Sequence, residues 1–175
     1  MCVLPLWWGH KGVILCLYVD DILIFGTSTA VIDEIKYFLF QYFDMKDLGP
    51  ADVILNIKLI KKENGITLSQ FHYTEKVLCR FGFADCKVAP TPYDTGVKLR
   101  KFEGQGRDQL RYSQIIGSLM YLAGATRPDI SYAVSKLSRF TSNLGDDHWK
   151  ALGRVCRYLR GTSDYGIHYS DTHQC

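Results

Sequence analysis

Between residues 13 and 25 the chain reads VILCLYVDDILIF, two runs of β-branched, aromatic and other apolar residues broken only by Asp20 and Asp21. Apolar side chains at consecutive positions argue strands buried on both faces, and aspartate tolerates turns. The pattern therefore predicts a hairpin of residues 13–19 and 22–25, joined by a two-residue Asp20–Asp21 turn. After Gly26 the period lengthens. Val31, Ile35, Phe38 and Tyr42 fall on one helical stripe, widened by Ile32, Leu39 and Phe43, with Ser28 or Thr29 as cap and Asp33 and Glu34 suited to the first turn.

MKDLGPA interrupts this helix, and DVILNIKLIKKENGITLS reads as a second hairpin turning at Asn64–Gly65. A helix follows, started by Ser69 or Thr74, with Tyr73, Val77, Leu78 and Phe81 inward and an end near Gly82. Residues 86–112 are polar and rich in turn formers, and read as a linker. Three helical segments come next: YSQIIGSLMYLAGA, then RPDISYAVSKLSRF with Pro128 near its first position, then DDHWKALGRVCRYLRG, capped by Asp146 or Asp147 and stopped by Gly161. DYGIHYS closes as a strand. The fold class predicted is α+β, in four segments: 1–48, 49–85, 86–112 and 113–175.

Composition narrows the class. Of 175 residues, 47% are hydrophobic and 22% charged, which fits an ordinary globular protein with a real core. The formal charge of +3 is small but uneven. Residues 1–50 hold three basic residues against six acidic ones, and the remainder hold 18 basic against 12 acidic. The N-terminal apolar stretch is interrupted at residues 9–12 and lacks a basic lead, so neither a signal peptide nor a membrane span is expected. Six cysteines without paired spacing, of which Cys16, Cys79 and Cys156 lie in apolar patterns as buried small hydrophobes, read as a reduced, intracellular protein.

The chemistry concentrates at Asp20 and Asp21. In a straight strand their carboxylates face opposite sides, whereas at a tight turn both project from the end of the sheet. Two such charges repel, and burial raises the penalty. Protonating one relieves it. So does a divalent cation that prefers hard oxygen ligands, most simply Mg2+. A solvated acidic turn is the plain alternative.

The wider string favours the cation. YVDD within an apolar hairpin resembles the YxDD motif in the palm of reverse transcriptases. ILCLYVDDILIFGTS, FDMKDLGPADVIL, KLIKKENGITLSQFHYTEKVLCRFGF, RYSQIIGSLMYLAGATRPDISYAVSKLSRF and HWKALGRVCRYLRGTSDYGIHY, in that order, resemble the reverse transcriptase of copia-type retrotransposons of plant genomes, over residues 13–170. The resemblance implies a palm remnant of antiparallel hairpins plus a helix in 1–48, a primer-grip-like hairpin and helix in 49–85, and a helical thumb or connection region in 113–175. It implies Mg2+-dependent nucleotidyl transfer from deoxynucleoside triphosphates to a primer on an RNA or DNA template, by a two-metal mechanism. Asp20 and Asp21 would be the catalytic, metal-holding carboxylates. Tyr18 and Val19 would line the floor under the primer end, and Leu55, Asn56 and Ile57 would grip that end. The family usually has glycine where Asn56 stands.

The same resemblance implies a further palm aspartate and a fingers region. Residues 1–12 contain no acidic residue, so this chain is expected to be a fragment, inactive as a polymerase by itself. Two other readings stay open: a non-catalytic nucleic-acid-binding remnant, and a product that fails to fold.

Remaining candidates are plainer. Lys150, Arg154 and Arg157 share one side of the last helix, with Arg160 nearby, and fit either phosphate contacts or a solvated face. Lys58, Lys61 and Lys62 on the second hairpin fit backbone contacts or edge protection. Pro128 and Asp129 at a helix start explain TRPDIS structurally. His168, His173 and Cys175 match no zinc spacing. Trp7, Trp8 and Trp149 read as packing groups, and His72 and His148 lack a nucleophile partner.

Overall fold

In the computed structural model, which describes residues 2–102, 104, 108–142 and 144–170, the chain separates into two units, Met1–Ala51 and Asp52–Cys175. His173 and Cys175 lie outside the described residues.

The first unit is a three-stranded antiparallel sheet, β1 (Cys2–Trp8), β2 (Lys11–Tyr18) and β3 (Asp21–Gly26) in that order, with helix α1 (Thr29–Tyr42). Strand β1 was not expected. It carries Pro5, which is tolerated because β1 lies at the sheet edge, where a missing N–H costs no ladder bond. Gly9, at φ +64, makes the turn into β2. Val13, Leu15, Ile22 and Ile24 pack against Val31 and Ile35 of α1.

Burial on both faces does not occur. On the uncovered face Val3, Tyr18 and Phe25 are exposed, and Trp7, 65% exposed, lies across Gly12 of the paired strand rather than in a core. Phe38 and Tyr42 of α1 and Phe43 just beyond it are exposed, so only the first half of the predicted stripe meets the sheet. Ser28 caps α1 by accepting from the Val31 N–H at 3.4 Å, and Asp33 and Glu34 fall beyond the first turn. Beyond α1, Asp47 accepts from Lys36 Nζ at 2.9 Å and from the Gly49 N–H, and these bonds hold its carboxyl below the usual range.

The second unit has a four-stranded antiparallel sheet, β4 (Val53–Ile54), β5 (Ile57–Lys62), β6 (Gly65–Ser69) and β7 (Gly166–Ser170), in sequence order. Its helices are α2 (Phe71–Phe81), α3 (Gln109–Ala125), α4 (Ser131–Ser138) and α5 (Asp146–Gly161), with a 3₁₀ turn at Pro128–Ile130. Val77, Leu78 and Phe81 of α2 join Ile115 and Leu119 of α3 and residues of α4 and α5 in one core, and Tyr73 packs at its margin. Because β7 pairs with β6, the second hairpin and the late helices share one unit. Gly82 ends α2 at φ +78, as its sequence position requires. Ser69 supports the start of α2 by accepting from the Phe71 N–H, while Thr74 lies buried within the helix. Cys79 is exposed, against expectation, whereas Cys156 is buried and its thiol is pushed up to about 12. Among the described residues no helix is long and apolar enough to cross a membrane.

Helix α5 is capped differently from its sequence reading. Gly145 is the cap residue, and its N–H donates to Nδ1 of buried His148 at 3.1 Å, while Asp146 and Asp147 occupy the first turn. Burial pushes the His148 imidazole down, against the opposing pull of the Gly145 bond and the Asp147 charge. A folded-state pKa below the unfolded one means that the unfolded chain takes up the proton first as pH falls. The stability involved is fully present above about pH 6.5 and is lost below it. Thermal unfolding followed from pH 7.5 to 5.5 should show a falling midpoint, and His148→Gln, whose amide oxygen can still accept from Gly145, should flatten that fall.

Candidate functional site

The YVDD segment ends the β2–β3 hairpin, but not with the predicted turn. Tyr18 pairs with Asp21, so the two central residues are Val19 and Asp20. Asp21 opens β3. The reason lies at the other end of the hairpin, where Val13 pairs with Gly26, the Gly12 N–H donates to Thr27 Oγ1, and the Thr27 N–H donates to the Gly12 carbonyl. Only Thr27 and Ser28 separate β3 from α1, so this anchor seats Val31 over Val13 and Leu15. An Asp20–Asp21 turn would slide β3 by two residues and lift α1 off that seat.

The local cost falls on Val19. It sits at φ +53, a conformation disfavoured for a β-branched residue, and it is 88% exposed. Strain of this kind at an exposed tip marks a functional candidate. Asp20 and Asp21 are both exposed, and among the described residues neither carboxylate has a hydrogen bond or ion pair. Asp21 and Tyr18, directly opposed, share the sheet face that α1 leaves open. Two consecutive, unpartnered, solvent-facing carboxylates suit a hard divalent cation as donors. Among the described residues no third His, Cys, Asp or Glu joins them in a metal-sized cluster.

A second tip lies in the other unit and is described by itself. Ile54 pairs with Ile57, so Leu55 and Asn56 form a two-residue turn, at φ +50 and +57. Both central residues at positive φ define the hairpin turn in which asparagine and glycine are favoured, so Asn56 occupies a position where glycine would also fit. The Leu55 carbonyl accepts from the Tyr121 hydroxyl of α3. The next turn is Glu63–Asn64 rather than Asn64–Gly65, because Lys62 pairs with Gly65.

The predicted basic groups separate. Alternation along β5 puts Lys58 and Lys62 on one face, with Thr67 and His168 of the neighbouring strands, and Lys61 on the other. Thr67 Oγ1 and His168 Nδ1 lie 3.0 Å apart. On α5, Lys150 pairs with Asp147 at 3.3 Å in solvent. Arg154 donates to the Thr91 carbonyl and hydroxyl and pairs with Asp94 at 3.4 Å, while Arg160 donates to the Ala84 carbonyl. These arginines strap residues 84–94 onto α5. Arg157 lines a shallow cleft with Tyr93, Val97 and Leu99.

The residue that sequence reading missed is Arg127, only 1% exposed. It donates to both carboxylate oxygens of Asp129, at 3.0 and 2.7 Å, and to the Thr162 carbonyl and hydroxyl, at 2.8 and 2.6 Å, with its guanidinium carbon 5.7 and 5.4 Å from the ring centroids of Tyr158 and Tyr165. Burial raises the Asp129 carboxyl, but the guanidinium bonds and charge outweigh it, and the net shift is downward. Nearby, Thr126 donates to buried Gln70 at 2.9 Å. The charged TRPD string in an otherwise apolar region was the available signal.

Comparison with known proteins follows the same residues. Residues 6–95 match the family model described as reverse transcriptase (RNA-dependent DNA polymerase). The chain is 44% identical over 163 residues to the retrovirus-related Pol polyprotein from transposon TNT 1-94 of Nicotiana tabacum, covering 88% of this chain and 12% of that polyprotein. Against the corresponding polyproteins from transposons RE2 and RE1 of Arabidopsis thaliana it is 41% and 39% identical, covering 91% of this chain and 11% of each. It thus spans roughly a tenth of the length of these curated relatives. No solved structure matches the chain.

Proposed function

We propose, for a chain that belongs to the reverse transcriptase (RNA-dependent DNA polymerase) family, that the YVDD hairpin is the carboxylate element of a template-directed DNA-synthesis site of a copia-type retrotransposon. The observation that supports this reading is the pair of exposed, unpartnered carboxylates Asp20 and Asp21 beside the strained Val19 tip. Asp20 and Asp21 would hold Mg2+, which when bound lowers the pKa of an attacking hydroxyl and offsets charge on a leaving phosphate. Tyr18, opposite Asp21, offers a ring on the open sheet face for a primer nucleotide. Leu55, Asn56 and Ile57 offer a rigid backbone turn that grips the strand end. Primer–template duplexes and deoxynucleoside triphosphates are the partners in this reading, and we place it inside the cell, where free cysteines stay reduced.

Two carboxylates do not complete a two-metal clamp, and among the described residues no third ligand joins them. Lys58 and Lys62 on one face of β5 favour a second reading, a nucleic-acid-binding remnant without turnover. Primer extension with Mg2+ or Mn2+ separates the two: incorporation abolished by Asp20→Asn supports the enzyme, and salt-dependent duplex binding without incorporation supports the remnant. Metal binding is tested directly by Mn2+, which should broaden the resonances of residues 18–22. Asp20→Asn or Asp21→Asn should weaken that effect about tenfold. Broadening that is unchanged in both variants would overturn the metal assignment.

A further inference from the structure

In a two-residue hairpin turn the carbonyl of the first central residue points out of the ladder and takes its partner from a side chain or from water. At the second tip that carbonyl belongs to Leu55, and its partner is the Tyr121 hydroxyl, 66 residues away along the chain. The Tyr121 ring is itself held, because it meets the Tyr73 ring of α2 edge to face, with centroids 5.1 Å apart and planes at 84°. Two helices therefore fix one phenol, and that phenol fixes the turn. The turn needs such a hold, since Leu55 adopts positive φ, at about 1–2 kcal/mol for a residue other than glycine or asparagine.

We propose that Tyr121 is the positioning residue of the Leu55–Asn56 tip, through which helices α2 and α3 set where that tip meets the recessed 3′ end of a nucleic-acid strand. The strand-end role rests on the function proposed above; the clamp rests on the tyrosine geometry alone. Nothing in the sequence singled out Tyr121 from the apolar GSLMYL string. Its partner is distant in sequence and is a backbone atom, which no residue pattern reports.

Tyr121→Phe removes the hydroxyl and keeps the ring against Tyr73. In the full chain, amide hydrogen exchange at residues 54–58 should speed up about three- to tenfold, the loss of one net hydrogen bond. The β5–β6 ladder from Ile60 to Thr67 should exchange as before. Binding of a DNA duplex with a recessed 3′ end should weaken by a similar factor, while blunt-duplex binding stays constant. Should Tyr121→Phe fail to fold, 3-fluorotyrosine at position 121, a stronger donor, should slow exchange at the same amides. Unchanged tip exchange, or a rise spread evenly over the sheet, overturns the clamp. A parent chain that binds neither duplex refutes the strand-end role and the nucleic-acid reading with it, while the exchange data still judge the clamp, so the two failures are told apart.

Discussion

Replacing Arg127 by alanine lowers the unfolding free energy of the Asp52–Cys175 unit by about 3–5 kcal/mol, the expected scale for breaking a buried charge pair from one side. The side chain is 1% exposed and makes four hydrogen bonds, two to Asp129 and two to Thr162. Alanine strands the Thr162 carbonyl, leaves the Asp129 carboxylate with only the Tyr158 hydroxyl and solvent, and loses the contacts with the Tyr158 and Tyr165 rings. Arg127→Lys should recover little, because an ammonium cannot reproduce the planar fork that reaches both partners. The double variant Arg127→Met, Asp129→Ala should lose less than the two single changes summed, since no charge is then left unpaired.

The Arg127–Asp129 pair also has a pH signature. The Asp129 carboxyl lies below its unfolded value, so its stabilisation is present above about pH 4 and fades as pH falls through the folded-state value. In the Arg127 variants that acid dependence should shrink. Denaturant unfolding followed by Trp149, which packs edge-on against Tyr112 in this unit, reads these effects once Trp7 and Trp8 are replaced by phenylalanine. An Arg127→Ala midpoint within 1 kcal/mol of the parent would show that the network is not structural (about 1 kcal/mol being a single neutral hydrogen bond).

Gly65→Ala is the second large effect expected. Gly65 sits at φ +142, and a Cβ there would come 1.9 Å from the Tyr169 carbonyl oxygen and 2.9 Å from its carbon. A side chain meets both a backbone conformation reserved for glycine and a neighbouring strand that cannot move without breaking its ladder. Strain and overpacking together give about 2–5 kcal/mol. The damage should be local: β7 detaches from β6, and amides of residues 166–170 lose exchange protection before those of β5 do. Gly166→Ala provides the comparison. Its Cβ would lie 2.3 Å from the Leu68 oxygen without a positive φ, so it should cost less and act at the other end of the same strand pair. Equal protection of β7 in parent and Gly65→Ala would contradict the close approach.

Elements are legible in this sequence and registers are not, for a definable reason. Both hairpins were read with their turns one residue too late, at Asp20–Asp21 and Asn64–Gly65 instead of Val19–Asp20 and Glu63–Asn64. Each error slides one strand past its partner by two residues. Side-chain alternation has period two, so such a slide leaves every residue on its original face and the hydrophobic pattern cannot detect it. The deciding forces are distant: the seat of Val31 on Val13 and Leu15 for the first hairpin, the close pass of Tyr169 over Gly65 for the second. The surroundings of the basic groups are likewise settled at a distance. Arg154 and Arg160 look like a free basic row on a helix, yet their partners are a loop some 60 to 75 residues earlier.

By itself, then, the sequence determined the elements whose cause is local. Ser28 caps α1, Gly82 stops α2, the apolar spacing of α2 and α5 selects their buried faces, and the YVDD string with its ordered successors identifies the family. Tertiary structure alone decided that Val19 carries the strain, that Arg127 is buried, and that β7 returns to β6. It alone set the Tyr121 hydroxyl on the Leu55 turn. Capping and periodicity act within a few residues and are written in the chain, whereas register, burial of charge and the partners of turn carbonyls are settled by groups that meet only when the chain has folded.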